Sequence, residues 1–171
     1  LVFIYRDGMY MTVYVDNLLI FEPEEAKIEE VKRNLATKFK IEDLGRCSYY
    51  LGIYVHQYDN GDVHLHQSNY IQQIIDRFAY PDTREFSTPT DSKSSLCKHV
   101  GMPRPINEIQ RYQSEIGSAN YGMIETTPDI SASVGVLSRH CHNPNETHSA
   151  ATERLYSYLK KTVNLGLQCK H

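Results

Sequence analysis

From Leu1 to Phe21 the chain is apolar in short runs broken by turn-forming pairs, the pattern of strands rather than of a helix. Leu1 to Tyr5 predicts one strand, Asp7-Gly8 a two-residue hairpin turn, and Tyr10 to Val15 the returning strand. Asp16-Asn17 reads as a second tight turn, because both residues tolerate turn dihedrals, and Leu18 to Phe21 as a third strand. Pro23 then opens a helix whose apolar stripe is Ile28, Val31, Leu35 and Phe39, with Glu25, Glu29, Lys32 and Arg33 opposite. After Gly45 the pattern returns to strands, Tyr49 to Val55 and Val63 to His66, joined at Asn60-Gly61. Ser68 is expected to cap a helix with Ile71, Ile74, Ile75 and Phe78 on its inner face.

Between Pro81 and Pro105 apolar residues thin out and Pro, Ser, Thr, Asp and Lys take over, which predicts a long irregular connection or a linker between lobes. Three helical segments follow: Tyr112 to Ile124; one starting near Pro128-Asp129 and running through Val134 and Leu137 to about Cys141; and one after Asn143-Pro144 with the stripe Ala151, Leu155, Tyr158 and Leu159. The expected fold class is therefore α+β, a small antiparallel sheet with packed helices followed by an all-helical part. The expected organisation is residues 1–80, a connection over 81–110, and residues 111–171. Neither an internal repeat nor a Gly-rich phosphate loop is present.

One position disturbs the apolar pattern. Asp16 lies in the run from Met11 to Phe21, and burying an ionised carboxylate costs several kcal/mol unless it is paired or bound to a metal. Asp16 therefore either sits in a turn that returns it to water and backbone amides, or faces a cation.

Composition narrows the classes. At 171 residues, with 40% hydrophobic and 23% charged residues, the chain suits a soluble globule, and no apolar run approaches the roughly 20 residues of a membrane helix. Leu1 to Tyr5 lacks an initiator Met, a basic n-region and a small-residue cleavage site, so it reads as a strand cut out of a longer polypeptide rather than as a signal peptide. Cys47, Cys97, Cys141 and Cys169 are scattered without CxxC spacing, which fits a reducing compartment and an intracellular location in cytoplasm or nucleus. The net charge of −3 is uneven: residues 139–171 carry 5 Lys or Arg against 2 Asp or Glu, a hint of a polyanion partner or simply a solvated helix face. His140, Cys141, His142 and His148 offer zinc-type ligands but match no standard zinc spacing, and His64 with His66 share one strand face, which suits a metal or, more simply, a solvated strand edge.

The ordered landmarks are Tyr14-Val15-Asp16-Asn17, Asp43-Leu44-Gly45, Tyr50-Leu51-Gly52-Ile53, Ile116-Gly117-Ser118 with Tyr121, Pro128-Asp129-Ile130, Leu137-Ser138-Arg139, Asn143-Pro144, His148, Tyr158-Leu159-Lys160 and Gly166-Leu167. As a set, over essentially the whole chain, they resemble the reverse transcriptase of copia-type retrotransposons. The resemblance implies the later part of a polymerase palm, over residues 1–80, followed by a helical thumb over 111–171, with an RNase H domain beyond. It implies that Tyr14 lies beside the nucleic-acid sugar and that Asp16 is a magnesium ligand. The family places a second aspartate where this chain has Asn17, and a third carboxylate on an earlier strand. Two magnesium ions need such anionic oxygen ligands to stabilise the attacking 3′-oxygen and the leaving pyrophosphate.

The same resemblance makes Leu51-Gly52-Ile53 a primer-grip hairpin, where Gly lets a backbone approach the sugar-phosphate chain. It makes Arg139, Arg154, Lys160 and Lys161 phosphate contacts of a template–primer duplex. The implied partners are RNA/DNA template–primer and the rest of the polyprotein, namely fingers, early palm and RNase H domain, and no membrane. With Asn17 in the second metal position, the expected reading is a reverse transcriptase fragment inactive as this chain. The alternatives are a non-catalytic nucleic-acid-binding or interaction module from a captured transposon, and a functionless relic.

Overall fold

The structure, a computed structural model, describes residues 1–4, 8–78, 80, 84–91 and 96–170. It is mixed α/β with antiparallel sheets and five α-helices, in two compact units, Leu1–Cys47 and Ser48–His171. The division falls ahead of the Tyr49 hairpin and not in the Pro/Ser/Thr-rich stretch where composition changes.

The first unit holds strands β1 (Val2–Ile4), β2 (Tyr10–Tyr14) and β3 (Asn17–Phe21) in an antiparallel sheet of that order. Met11 pairs with Phe3 on one side and Ile20 on the other, and it is buried together with Met9. Gly8 has a left-handed φ of 91°, as a hairpin turn requires, while Asp7 of the expected Asp7-Gly8 pair lies outside the described residues. Helix α1 (Glu25–Ala36) follows, its first residue two positions beyond Pro23. Ile28, Val31 and Leu35 are half-buried as the stripe predicts, but Phe39 falls beyond the helix and is exposed.

The second unit holds β4 (Tyr49–Tyr50), β5 (Ile53–Gln57), β6 (Val63–His66), helix α2 (Ser68–Phe78), α3 (Ile106–Glu125), a single 3₁₀ turn (Pro128–Ile130), α4 (Ser131–Ser138), α5 (Glu146–Lys161) and β7 (Gly166–Cys169). The expected strand Tyr49–Val55 is two strands, because Leu51-Gly52 forms a tight turn inside it. The expected all-helical end is also corrected: β7 returns to pair antiparallel with β6, giving the sheet order β4-β5-β6-β7. Gly166 makes this pairing possible, since a Cβ there would lie 2.1 Å from the Leu65 carbonyl oxygen.

The core lies among α2, α3, α4 and α5, where Ile71, Phe78, Ile116, Val134, Leu155 and Leu159 interlock. Each such side chain contributes about 1.5–3 kcal/mol when fully buried. Gln67 occupies the residue before α2, one position earlier than the cap expected at Ser68, and its carbonyl accepts the Ile71 N–H at 2.9 Å. Helix α3 starts six residues earlier than the stripe indicates, directly after Pro105. A capping box starts α5: Asn145 Oδ1 accepts the His148 N–H at 3.1 Å, and His148 Nδ1 accepts the Asn145 N–H at 3.0 Å.

Of the expected 81–110 connection, residues 106–110 already belong to α3, and the described parts before them are irregular but tethered. His148 Nε2 meets the Cys97 carbonyl oxygen at 3.1 Å, Asn143 donates to the Gly101 carbonyl at 3.3 Å, and Thr90 and Ser133 share a hydroxyl hydrogen bond. The segment is therefore fastened to α4 and α5 within one unit rather than free between lobes.

Candidate active-site hairpin and nucleic-acid contacts

The Tyr14–Asn17 hairpin shows how Asp16 avoids burial. Tyr14 and Asn17 are a paired register position of β2 and β3, so the two turn residues are Val15 and Asp16, one position earlier than the expected Asp16-Asn17 turn. Val15 adopts a left-handed φ of 55°, which costs a β-branched residue about 1–2 kcal/mol. Tyr14, Val15, Asp16 and Asn17 are all exposed. The carboxylate is thus returned to water at a sheet rim. Asn17 donates its side-chain amide to Asp16 Oδ1 at 3.5 Å.

This donor set does not fit two magnesium ions. It offers one carboxylate and one amide, and the amide turns its N–H toward the carboxylate. Among the described residues no three His, Cys, Asp or Glu side chains gather so as to hold a metal ion. In the His140–His148 region, the two rings stack at 3.9 Å, and both His148 nitrogens are already used, Nδ1 by the Asn145 N–H and Nε2 by the Cys97 carbonyl.

Asp43-Leu44-Gly45 has a local structural explanation. Asp43 Oδ1 accepts the Gly45 N–H at 2.9 Å, its other oxygen pairs with Lys32 at 2.9 Å, and Gly45 takes a φ of 72°. Lys32 also holds Glu29 at 2.7 Å. The Lys32 hydrogen bond lowers the Asp43 pKa below its usual value.

In the second unit, Leu51 and Gly52 are the central residues of the β4–β5 turn, with φ of 50° and 88°. Two positive φ values define the primed turn that matches strand twist, and Gly meets that demand without strain where Leu does not. Ile53 begins β5. The sequence did not single out the tyrosines around this turn for this role. Tyr121 lies close beneath it, its hydroxyl 3.6 Å from where a Gly52 Cβ would stand, and its ring meets Tyr70 edge-on at 4.9 Å. Tyr70 donates to the Ser118 carbonyl at 2.9 Å, which ties the Ile116-Gly117-Ser118 landmark to the same corner. Pro128-Asp129-Ile130 is similarly tied to α5, because Tyr158 donates to Asp129 Oδ2 at 2.6 Å. Burial, then the Asp129 carboxylate, push the Tyr158 phenol up to about 12.

The four expected phosphate contacts separate into two kinds. Arg139 at the end of α4 is exposed, as are Lys160 and Lys161 in the last turn of α5, where cations also complement the helix dipole. Arg154 is engaged within the chain. Its Nε donates to the Thr88 carbonyl at 3.2 Å, its Nη2 to Thr88 Oγ1 at 2.8 Å, and its guanidinium lies 4.2 Å over the Phe86 ring. A cavity of about 690 Å³ opens beside this contact, lined by residues that include Phe86, Leu96, Val136, Ala150 and Arg154. No helix among the described residues is long and apolar enough to cross a membrane.

Comparison with known proteins gives these landmarks a context. Residues 3–92 match the family described as reverse transcriptase (RNA-dependent DNA polymerase). The chain is 32% identical over 159 residues to the retrovirus-related Pol polyprotein from transposon TNT 1-94 of Nicotiana tabacum, covering 90% of the chain and 12% of that protein. It is 30% identical over 163 residues to the putative transposon Ty5-1 protein of Saccharomyces cerevisiae, covering 95% of the chain and 52% of that protein. The Pol polyprotein from transposon RE1 of Arabidopsis thaliana is 32% identical over 162 residues, covering 95% of the chain and 11% of that protein. The chain thus spans from about a tenth to about half the length of these relatives. No solved structure matches it. The chain belongs to the reverse transcriptase (RNA-dependent DNA polymerase) family and corresponds to a segment of a copia-type retrotransposon polyprotein.

Proposed function

We propose that this chain is a nucleic-acid-binding portion of the reverse transcriptase that does not itself catalyse DNA synthesis. The observation that carries this reading is the Val15-Asp16 turn, an exposed hairpin tip with one carboxylate and a neighbouring amide at Asn17. Two-metal nucleotidyl transfer needs several anionic oxygens around ions about 3.5–4 Å apart, and one carboxylate does not organise them. In intact relatives magnesium would be held by the aspartates at these two positions together with a carboxylate from an earlier strand.

In this reading the Tyr14–Asn17 hairpin belongs to a palm, with Tyr14 beside the sugar. The Leu51-Gly52 turn, with Ile53, grips a primer strand, and α3 to α5 form the thumb against a template–primer duplex. Arg139, Lys160 and Lys161 supply the phosphate contacts, while Arg154 braces the Phe86–Thr88 segment. The remaining polyprotein, with fingers, early palm and RNase H domain, is the partner, inside the cell. Support comes from the family match, from relatives that are parts of Pol polyproteins, and from the exposed basic end of α5.

The test is primer extension with an RNA template, a DNA primer, deoxynucleoside triphosphates and magnesium. The purified chain is expected to give no extension, and Asp16→Ala to change nothing. Extension that disappears on Asp16→Ala would overturn the inactive reading. Salt-dependent binding to an RNA–DNA hybrid, weakened by Lys160→Glu with Lys161→Glu, supports the binding role, and its absence removes it.

A further inference from the structure

The chain contains two hydroxyl residues followed by proline, Thr88-Pro89 and Thr127-Pro128, and the fold treats them differently. Thr127 is 4% exposed and is fastened just beyond α3, its N–H donating to the Gly122 carbonyl at 3.0 Å ahead of the 3₁₀ turn. Thr88 is exposed, within residues 84–90, which form neither helix nor strand. Pro89 has no N–H and biases the residue before it towards extended backbone. An accessible hydroxyl on an extended segment, with proline next, is what a proline-directed serine/threonine kinase takes as substrate. Thr88 meets that demand and Thr127 does not.

The group beside Thr88 is suited to the product. Arg154 of α5 donates Nη2 to Thr88 Oγ1 at 2.8 Å and Nε to the Thr88 carbonyl at 3.2 Å. Thr88 is the acceptor in both contacts. The Phe86 ring, 4.2 Å below the guanidinium, helps to fix its plane. A guanidinium carries five N–H donors in a rigid fork that matches phosphate oxygens, and Thr88 occupies two of them. We propose that Thr88 is a phosphorylation site for a proline-directed kinase and that Arg154 receives the phosphate.

In the transfer, Thr88 Oγ1 attacks the γ-phosphorus of ATP. The Oγ1–P bond forms and the bond from that phosphorus to the β–γ bridging oxygen breaks. ADP leaves, and the hydroxyl proton passes to the kinase. The product carries about −1.5 to −2 charge at pH 7, and its bond to Arg154 becomes charge-assisted, roughly twice as strong as the neutral one. The charged side chains lining the adjoining cavity are Arg84 and Arg154 against Asp91 and Glu153, so the patch is balanced before modification and negative after it. The modified segment, which lies between α2 and α3 in sequence, is then held more firmly on α5. None of this depends on the nucleic-acid-binding reading.

The experiment treats the full chain with a proline-directed serine/threonine kinase, ATP and magnesium, and maps the product by tandem mass spectrometry. One phosphate is expected on Thr88 and none on the Thr88→Ala chain. Phosphate on Thr127, on the neighbouring Ser87 or nowhere overturns the assignment. The purified product is then titrated by phosphorus-31 NMR. Beside Arg154 the second phosphate ionisation is expected at least about half a unit below the ordinary value of about 6, and the melting point about 2–4 °C above that of the unmodified chain. Arg154→Gln is expected to return the ionisation to about 6. An ionisation at 6 or above in the modified wild type, or an unchanged melting point, overturns the part assigned to Arg154, and these two wild-type measurements decide the matter if Arg154→Gln does not fold.

Discussion

Tyr80 donates its phenolic hydrogen to Glu115 Oε1 at 2.8 Å, and the same carboxylate oxygen accepts Arg111 Nε at 3.0 Å. Glu115 is a buried acid on α3, and its backbone carbonyl also accepts the Tyr156 hydroxyl at 2.8 Å. Arg111 reaches the Phe78 carbonyl at 2.7 Å, so the group joins the end of α2, α3 and α5. Burial raises the Tyr80 and Tyr156 phenols above their ordinary range, which keeps both hydroxyls as donors.

Tyr80→Phe is therefore expected to cost about 0.5–1.5 kcal/mol, the worth of one such hydrogen bond, and Glu115→Ala about 2–3 kcal/mol, because it strands several donors together. Urea unfolding followed by circular dichroism checks both. A Glu115→Ala chain as stable as wild type refutes this account of the helix junction.

Acidification is expected to loosen the second unit. Burial lowers the pKa of His140, His148 and His66 in the folded chain. The unfolded chain then binds more protons at a given pH, so stability is complete above the unfolded value of about 6.5 and falls as pH drops through it toward the lower folded values. Thermal melts between pH 8 and pH 5 should show a decreasing midpoint below about pH 6.5. His148→Gln, tested for folding first, should flatten that decrease.

Two glycines should respond in opposite ways. Gly166→Ala sets a Cβ against the Leu65 carbonyl and is expected to cost about 1–3 kcal/mol, with faster amide exchange over Val63–His66. Gly135→Ala points into open space from an exposed position inside α4 and is expected to stabilise by about 0.5–1 kcal/mol.

At the hairpin tip, Val15→Asn replaces a β-branched residue at a φ of 55° with one that tolerates that region, and should stabilise the first unit by up to about 1 kcal/mol. Exchange rates of the β2–β3 amides report it. No gain would mean that the turn relaxes without strain.

Arg154→Ala should lower the melting point, since the side chain grips Thr88 and Phe86, and should leave hybrid affinity little changed. Lys160→Ala with Lys161→Ala should do the reverse.

What the sequence disclosed follows the range of the forces involved. The stripes Ile71–Ile74–Phe78 and Leu155–Leu159 were legible because helical period and burial act locally. That Asp16 either lies in a turn or faces a cation was legible, because an unpaired buried carboxylate has to find water or a counter-charge. The turn at Leu51-Gly52 was hidden by its own composition, since Tyr49 to Val55 reads as one apolar strand and Leu carries no turn signal. Val15 concealed its turn in the same way. Four-residue β7 and the Arg154–Thr88 contact arise from partners 66 to about a hundred residues away in sequence, which no local pattern encodes.

The return of β7 to β6 has a kinetic side. Val63 meets Cys169, so the sheet carrying the Leu51-Gly52 turn gains its last strand only after four helices have been made and gathered. On a ribosome, β6 waits with one bare edge while α2 to α5 emerge, and loop closure over about a hundred residues is slow. Pausing or truncation before Gly166 would expose that edge to other chains, so the vulnerable moment of this fold is its synthesis rather than its finished state.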